Sequence, residues 1–128
     1  MATVLIVDDE PNIVQLVRVT LETSGVHVLE ACDGTTALDR AVADRPNLIL
    51  LDVDLPDVSG LEVCRRLKAE AALAHTKIVM LTAAAQQDDV ARGFAAGADQ
   101  YLTKPFSPVR LLTLVEQLMA TADPCQPA

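Results

Sequence analysis

Pro46-Asn47-Leu48-Ile49-Leu50-Leu51-Asp52 is the stretch on which the reading of this 128-residue chain turns. Leu48 to Leu51 are uniformly aliphatic and end in an aspartate. A short apolar run without alternation fits a strand buried on both faces of a parallel sheet. Pro46 opposes helix before it, and Leu55-Pro56-Asp57-Val58-Ser59-Gly60 supplies turn residues after it. Asp52 is thus predicted at the C-terminal end of a central strand, the edge at which open α/β sheets bind ligands. A carboxylate there needs a partner, because burying an ion costs several kcal/mol unless it is paired or metal-bound.

Outward from this strand, sheet and helix patterns alternate. Thr3–Val7 reads as a second buried strand, ending in Asp8-Asp9. Glu10-Pro11 opens a helix whose apolar face is Ile13, Val14, Val17 and Leu21, and Ser24-Gly25 ends it. Val26–Glu30 is predicted as a short strand, and Asp33 as the N-cap of a helix over Thr35–Ala43. Val58-Ser59-Gly60 leads into a helix carrying Leu61, Val63, Cys64 and Leu67. Thr76–Leu81 is a fourth strand ending in Thr82, Gln86–Ala96 a helix, and Asp99–Thr103 a fifth strand followed by Lys104-Pro105. Ser107-Pro108 starts a last helix with a stripe of Leu111, Leu112, Val115, Leu118, Met119 and Ala122. Five strands alternating with five helices predict a doubly wound α/β domain over residues 1–122, with a parallel sheet covered on both faces. Residues 123–128 read as a disordered tail or the start of a linker.

Composition narrows the function classes. A hydrophobic content of 51% predicts a globular domain, and a net charge of −8 opposes nucleic acid or anionic membrane as its direct partner. Phe94, Tyr101 and Phe106 are too few aromatics for a base-stacking platform. Cys32, Cys64 and Cys125 match no zinc or redox spacing. The acidic N-terminus is not signal-like, and no apolar run approaches the roughly 20 residues of a membrane span. Together these predict a cytoplasmic protein.

Several polar residues fall at predicted strand ends: Asp8-Asp9, Asp52, Thr82 and Lys104. A parallel sheet brings such ends to one edge. Carboxylates gathered there repel one another and favour a hard cation such as Mg²⁺. A lysine and a hydroxyl beside a metal are the parts needed to hold a phosphoryl group.

Four motifs, in this order and spacing, resemble the receiver domain of bacterial two-component response regulators. They are Val7-Asp8-Asp9-Glu10, Leu50-Leu51-Asp52 with the turn through Gly60, Leu81-Thr82-Ala83, and Leu102-Thr103-Lys104-Pro105-Phe106. The resemblance covers roughly residues 3 to 120. It implies a flavodoxin-like, three-layer αβα fold with strand order 2-1-3-4-5. It also implies that Asp52 accepts the phosphoryl group, that Asp9 binds Mg²⁺ directly and Asp8 through water, and that the backbone carbonyl of Asp54 completes the protein ligands. Lys104 would pair with the phosphoryl oxygens, and the Lys104-Pro105 bond would be cis. Thr82 would be the switch hydroxyl and Tyr101 the switch aromatic. Such a domain is a phosphorylated acceptor with intrinsic autodephosphorylation, not an enzyme acting on a separate substrate.

The implied partners are a sensor histidine kinase or histidine phosphotransfer protein, and an output domain or target. The implied output surface joins the Gln86 helix, the fifth strand and the last helix, with Leu114 available for a partner or homodimer contact. Leu16 and Val19 of the first helix would help dock the phosphodonor, and Asp54 and Ala84 would set the lifetime of the phosphoryl group. Two other readings compete. Asp52-Val53-Asp54 also fits the Asp-x-Asp signature of haloacid-dehalogenase-like phosphatases, but that motif usually lies on the first strand and leaves Asp8-Asp9 unexplained. A receiver serving only as a docking module would not need the complete acidic set and Lys104.

Overall fold

Five parallel strands frame the computed structural model, which describes residues 2–83, 97–104 and 106–121. They are β1 (Thr3–Val7), β2 (His27–Ala31), β3 (Leu48–Asp52), β4 (Lys77–Ala83) and β5 (Gln100–Lys104). Their order is β2-β1-β3-β4-β5, with every neighbouring pair parallel. The described helices are α1 (Pro11–Thr23), α2 (Gly34–Asp44), α3 (Gly60–Ala69) and a C-terminal helix (Pro108–Thr121).

Successive strand residues face opposite sides of a sheet, and here both sides are covered. Val4, Ile6, Leu48, Leu50, Val79 and Leu81 pack with Val17 and Leu21 of α1 and Leu111 and Val115 of the C-terminal helix. Leu5, Val7, Ile49, Leu51, Ile78 and Met80 pack with Ala37 and Ala41 of α2 and Val63, Cys64 and Leu67 of α3. This double burial is why β3 reads as a continuous apolar run, and every residue from Leu48 to Asp52 is buried.

Local chemistry sets the helix ends. Pro11 occupies the first turn of α1, and Gly25, at φ 84°, takes the left-handed conformation that ends it. The Asp33 carboxylate caps α2 by accepting from the Thr36 N–H at 2.7 Å.

The observed elements depart from expectation in a few places. β2 starts one residue later than Val26, because its ladder with β1 pairs Thr3 with His27 through Val7 with Ala31. β4 and β5 run on to Ala83 and Lys104, since Thr82 pairs with Thr103 and Ala83 with Lys104. Thr82 and Lys104 are therefore strand residues rather than loop residues. Leu114 is buried at 7% exposure, which overturns its assignment to a partner contact. It follows Leu111 by three residues and precedes Leu118 by four, so it lies on the buried stripe. The Gln86–Ala96 helix, Ala84, the Lys104-Pro105 bond, Ala122 and the 123–128 tail lie outside the described residues.

Candidate functional site

The acidic site sits where β1, β3 and β5 end. Val7 pairs with Leu51, so the next residue, Asp8, lies beside Asp52. Asp8 is 1% and Asp52 6% exposed, while Asp9 is exposed. Oxygens of Asp8, Asp9 and Asp52 lie within 4.8 Å of one another. From the end of β5, Lys104 Nζ reaches Asp8 Oδ2 at 2.8 Å, Asp52 Oδ2 at 3.4 Å and Glu10 Oε1 at 3.8 Å. Asp8 Oδ2 is buried, and the Lys104 ammonium at 2.8 Å is its charged partner among the described residues. The other oxygen, Asp8 Oδ1, accepts from the Glu10 N–H at 2.9 Å.

Electrostatics follow from this crowding. The Asp52 carboxyl is pushed up to about 6, first by burial and then by Asp8, against the opposing pull of Lys104 and the Asp54 N–H. Burial alone would lower the Lys104 ammonium. Its contacts with Asp8, Asp52 and Glu10 outweigh burial and raise it. Three carboxylate oxygens this close together, two of them from buried aspartates, fit an oxygen-ligated divalent cation.

Thr82 is buried one residue before the end of β4, at the same edge of the sheet. Tyr101, half-buried on β5, packs against the α2/α3 core and lines a small cleft with Gln100, Arg110 and Leu114. The Asp54 side chain is exposed and stands outside the three-carboxylate cluster. Its backbone N–H donates to Asp52 Oδ1 at 3.2 Å. A cleft of about 360 Å³, lined by Asp9, Val53, Asp54, Leu55, Pro56, Ser59 and Leu61, opens beside the site.

The family model described as response regulator receiver domain matches residues 4–116. The chain belongs to that family. The receiver is 43% identical over 123 residues to the DNA-binding dual master transcriptional regulator RpaA of Synechocystis, covering 96% of this chain and 51% of that one. It is 41% identical to the alkaline phosphatase synthesis transcriptional regulatory protein PhoP of Bacillus subtilis, covering 98% and 51%. Chemotaxis protein CheY4 of Vibrio cholerae superposes with a TM-score of 0.86 at 36% identity, over 92% of this chain and 98% of that one. The receiver thus spans about half the length of the curated relatives named here. Receivers of two-component systems are phosphorylated and generally bind Mg²⁺ at an acidic pocket, and this chain carries such a pocket. A family match of this extent leaves the phosphatase and docking-only readings without support. The relative named as DNA-binding runs against the expectation that nucleic acid is no partner, and that expectation is not carried forward. Among the described residues, no helix is long and apolar enough to cross a membrane.

Three features escaped the sequence reading. Glu10 contributes a third carboxylate near Lys104. Asp57, expected only as a turn residue, binds the N-terminus of α2. Gly60 packs directly on the backbone of Asp52. Position in a turn was the one available signal for the last two, and it does not report long-range contact.

Proposed function

We propose that Asp52 accepts a phosphoryl group from a phosphohistidine of a sensor kinase or phosphotransfer protein. The observation that carries this is Lys104 Nζ standing 3.4 Å from Asp52 Oδ2 inside a cluster of three carboxylates. An Asp52 carboxylate oxygen forms the new O–P bond, the donor P–N bond breaks, and imidazole leaves. Lys104 exchanges part of its contact with Asp8 for the incoming phosphoryl oxygens, which it binds as a point charge. Asp8, Asp9, Asp52 and the Asp54 carbonyl would hold Mg²⁺, which supplies charge compensation between the carboxylates and the phosphoryl group. The Asp54 N–H orients Asp52 through Oδ1. Autodephosphorylation returns the carboxylate when water attacks the phosphorus.

The switch assigned to Thr82 and Tyr101 rests on their positions on β4 and β5, beside Lys104. A phosphoryl group on Asp52 adds acceptor oxygens at the edge where Thr82 lies. Repacking there is passed to the surface of β5 and the C-terminal helix, the output face. Val19, exposed on α1, and the half-buried Leu16 lie on the helix that starts beside Asp9, where a phosphodonor approaches. The test is incubation with acetyl phosphate and Mg²⁺, followed by intact mass measurement. One added phosphoryl group is expected, absent in Asp52→Ala and after chelation. Undiminished labelling of Asp52→Ala overturns the assignment.

A further inference from the structure

We infer that Asp57 is a positioning residue for the metal-binding loop, tying the β3–α3 loop that carries the Asp54 carbonyl to the N-terminus of α2. The inference rests on the Mg²⁺ site proposed above. The Asp57 carboxylate bridges two elements distant in sequence. Oδ1 accepts from the Gly34 N–H at 2.8 Å. Oδ2 accepts from the Thr35 N–H at 3.1 Å and the Thr35 hydroxyl at 2.9 Å. Oδ1 also accepts from the Val58 N–H at 2.9 Å, which folds the loop around the carboxylate. These bonds hold the Asp57 carboxyl down to about 2, the Gly34 N–H having the largest effect.

Packing reinforces the tie. A methyl placed on Gly34 would stand 2.3 Å from Val58 Cγ1 and 2.8 Å from Val63 Cγ2, so the loop lies flat on the start of α2. At its two ends, the loop is pinned by Val53, whose N–H donates to Leu81 O at 3.1 Å, and by Gly60, whose N–H donates to Val53 O at 2.8 Å. Between those pins the loop crosses exposed residues at Asp54, Pro56 and Asp57. Asp57 is the polar side chain in this stretch that ties it to a second element among the described residues. A carbonyl ligand on a loop is only as well placed as the loop, and outer partners of metal ligands commonly control affinity.

A merely structural role would make Asp57 one more cap on α2. Asp33 supplies the comparison, because its carboxylate caps the same helix through the Thr36 N–H, a bond made within three residues of itself. Mg²⁺ is titrated into wild type, Asp57→Ala, Asp57→Asn and Asp33→Ala, following amide shifts by NMR, and acetyl phosphate labelling is measured in parallel. Both alanine variants should melt lower. Asp57→Ala should weaken Mg²⁺ binding by about 10-fold, with labelling restored at high Mg²⁺. Asp33→Ala should bind Mg²⁺ as wild type does. Asp57→Asn keeps one acceptor for Gly34 and should lose less, and it decides the matter if Asp57→Ala does not fold. Wild-type Mg²⁺ affinity in both Asp57 variants overturns the inference and leaves the phosphoacceptor reading standing. Wild-type protein that neither binds Mg²⁺ nor labels at Asp52 overturns both.

Discussion

Gly60→Ala tests how closely α3 is built onto the reactive strand. Gly60 is the first residue of α3, and its φ is not in the left-handed region, so space rather than conformational freedom is the constraint. A methyl there would stand 1.9 Å from the Asp52 carbonyl oxygen and 2.9 Å from Val53 Cα. Ordinary contact begins near 3.4 Å, so one backbone must retreat by about 1.5 Å. Overpacking costs about 1–3 kcal/mol, and backbone neighbours place this case near the upper end. For a domain of this size that lowers the melting temperature by roughly 10 °C. Displacing the end of β3 also moves Asp52 relative to Lys104, and a misplacement of about 1 Å can cost on the order of 100-fold in rate. Thermal denaturation and acetyl phosphate labelling measure the two effects. Gly25→Ala is the control: nothing lies within 4 Å of its added methyl, its φ of 84° makes the change strained, and it precedes β2 at the opposite edge of the sheet. It should cost about 1 kcal/mol and leave labelling unchanged. If Gly60→Ala melts within about 2 °C of wild type, the steric argument is wrong. If it melts lower but labels at the wild-type rate, the strain is taken up by α3 alone and the link to Asp52 fails.

Two further outcomes follow from the titrating groups. The Asp52 carboxyl sits at about 6 in the folded chain against 3.8 for the unperturbed group, so its contribution to stability is present below about pH 4 and lost as pH rises through 6. In metal-free buffer at pH 7, Asp52→Asn should therefore stabilise the fold by on the order of 2–3 kcal/mol in urea denaturation, an advantage that disappears near pH 4; a less stable variant at pH 7 refutes this. In a Cys125→Ser background, a thiol reagent should modify exposed Cys32 quickly, while Cys64, buried with its thiol pushed up to about 11 by burial, should react only on unfolding. Equal rates at the two thiols would contradict the burial of Cys64.

The sequence carries the fold where periodicity is strong. β1 and β3 are legible because both faces are buried and nothing polar interrupts them until Asp8 and Asp52. Asp33 is legible because a cap acts within three residues of itself. The acidic site is legible because parallel strands bring their ends to one edge whatever the strand order. The misses are of another kind. Leu114 departs from expectation because a helix meeting both the sheet and α1 buries a wider stripe than its central residues suggest. The Lys68–Asp99 pair, at 2.8 Å, joins α3 to the start of β5 through residues 31 positions apart, and the Asp57 tie to Gly34 spans 23. No local pattern encodes such distances, because each partner is chosen by the packed fold.

The reactive edge therefore joins two opposed demands. The apolar strands that make the sheet also desolvate Asp52, and that desolvation is the largest influence raising its carboxyl. Asp8 adds repulsion, and Lys104 offsets part of it from one side. A core optimised for stability alone would place neutral groups here, and Asp52→Asn is expected to show that gain. The same substitution removes the oxygen nucleophile on which the proposed transfer depends. Stability and phosphoryl acceptance should thus move in opposite directions at Asp52, as strained functional sites commonly behave. At Gly60 they should move together, since one added methyl both overpacks the core and displaces the nucleophile. That contrast separates residues that carry the chemistry from residues that hold it in place.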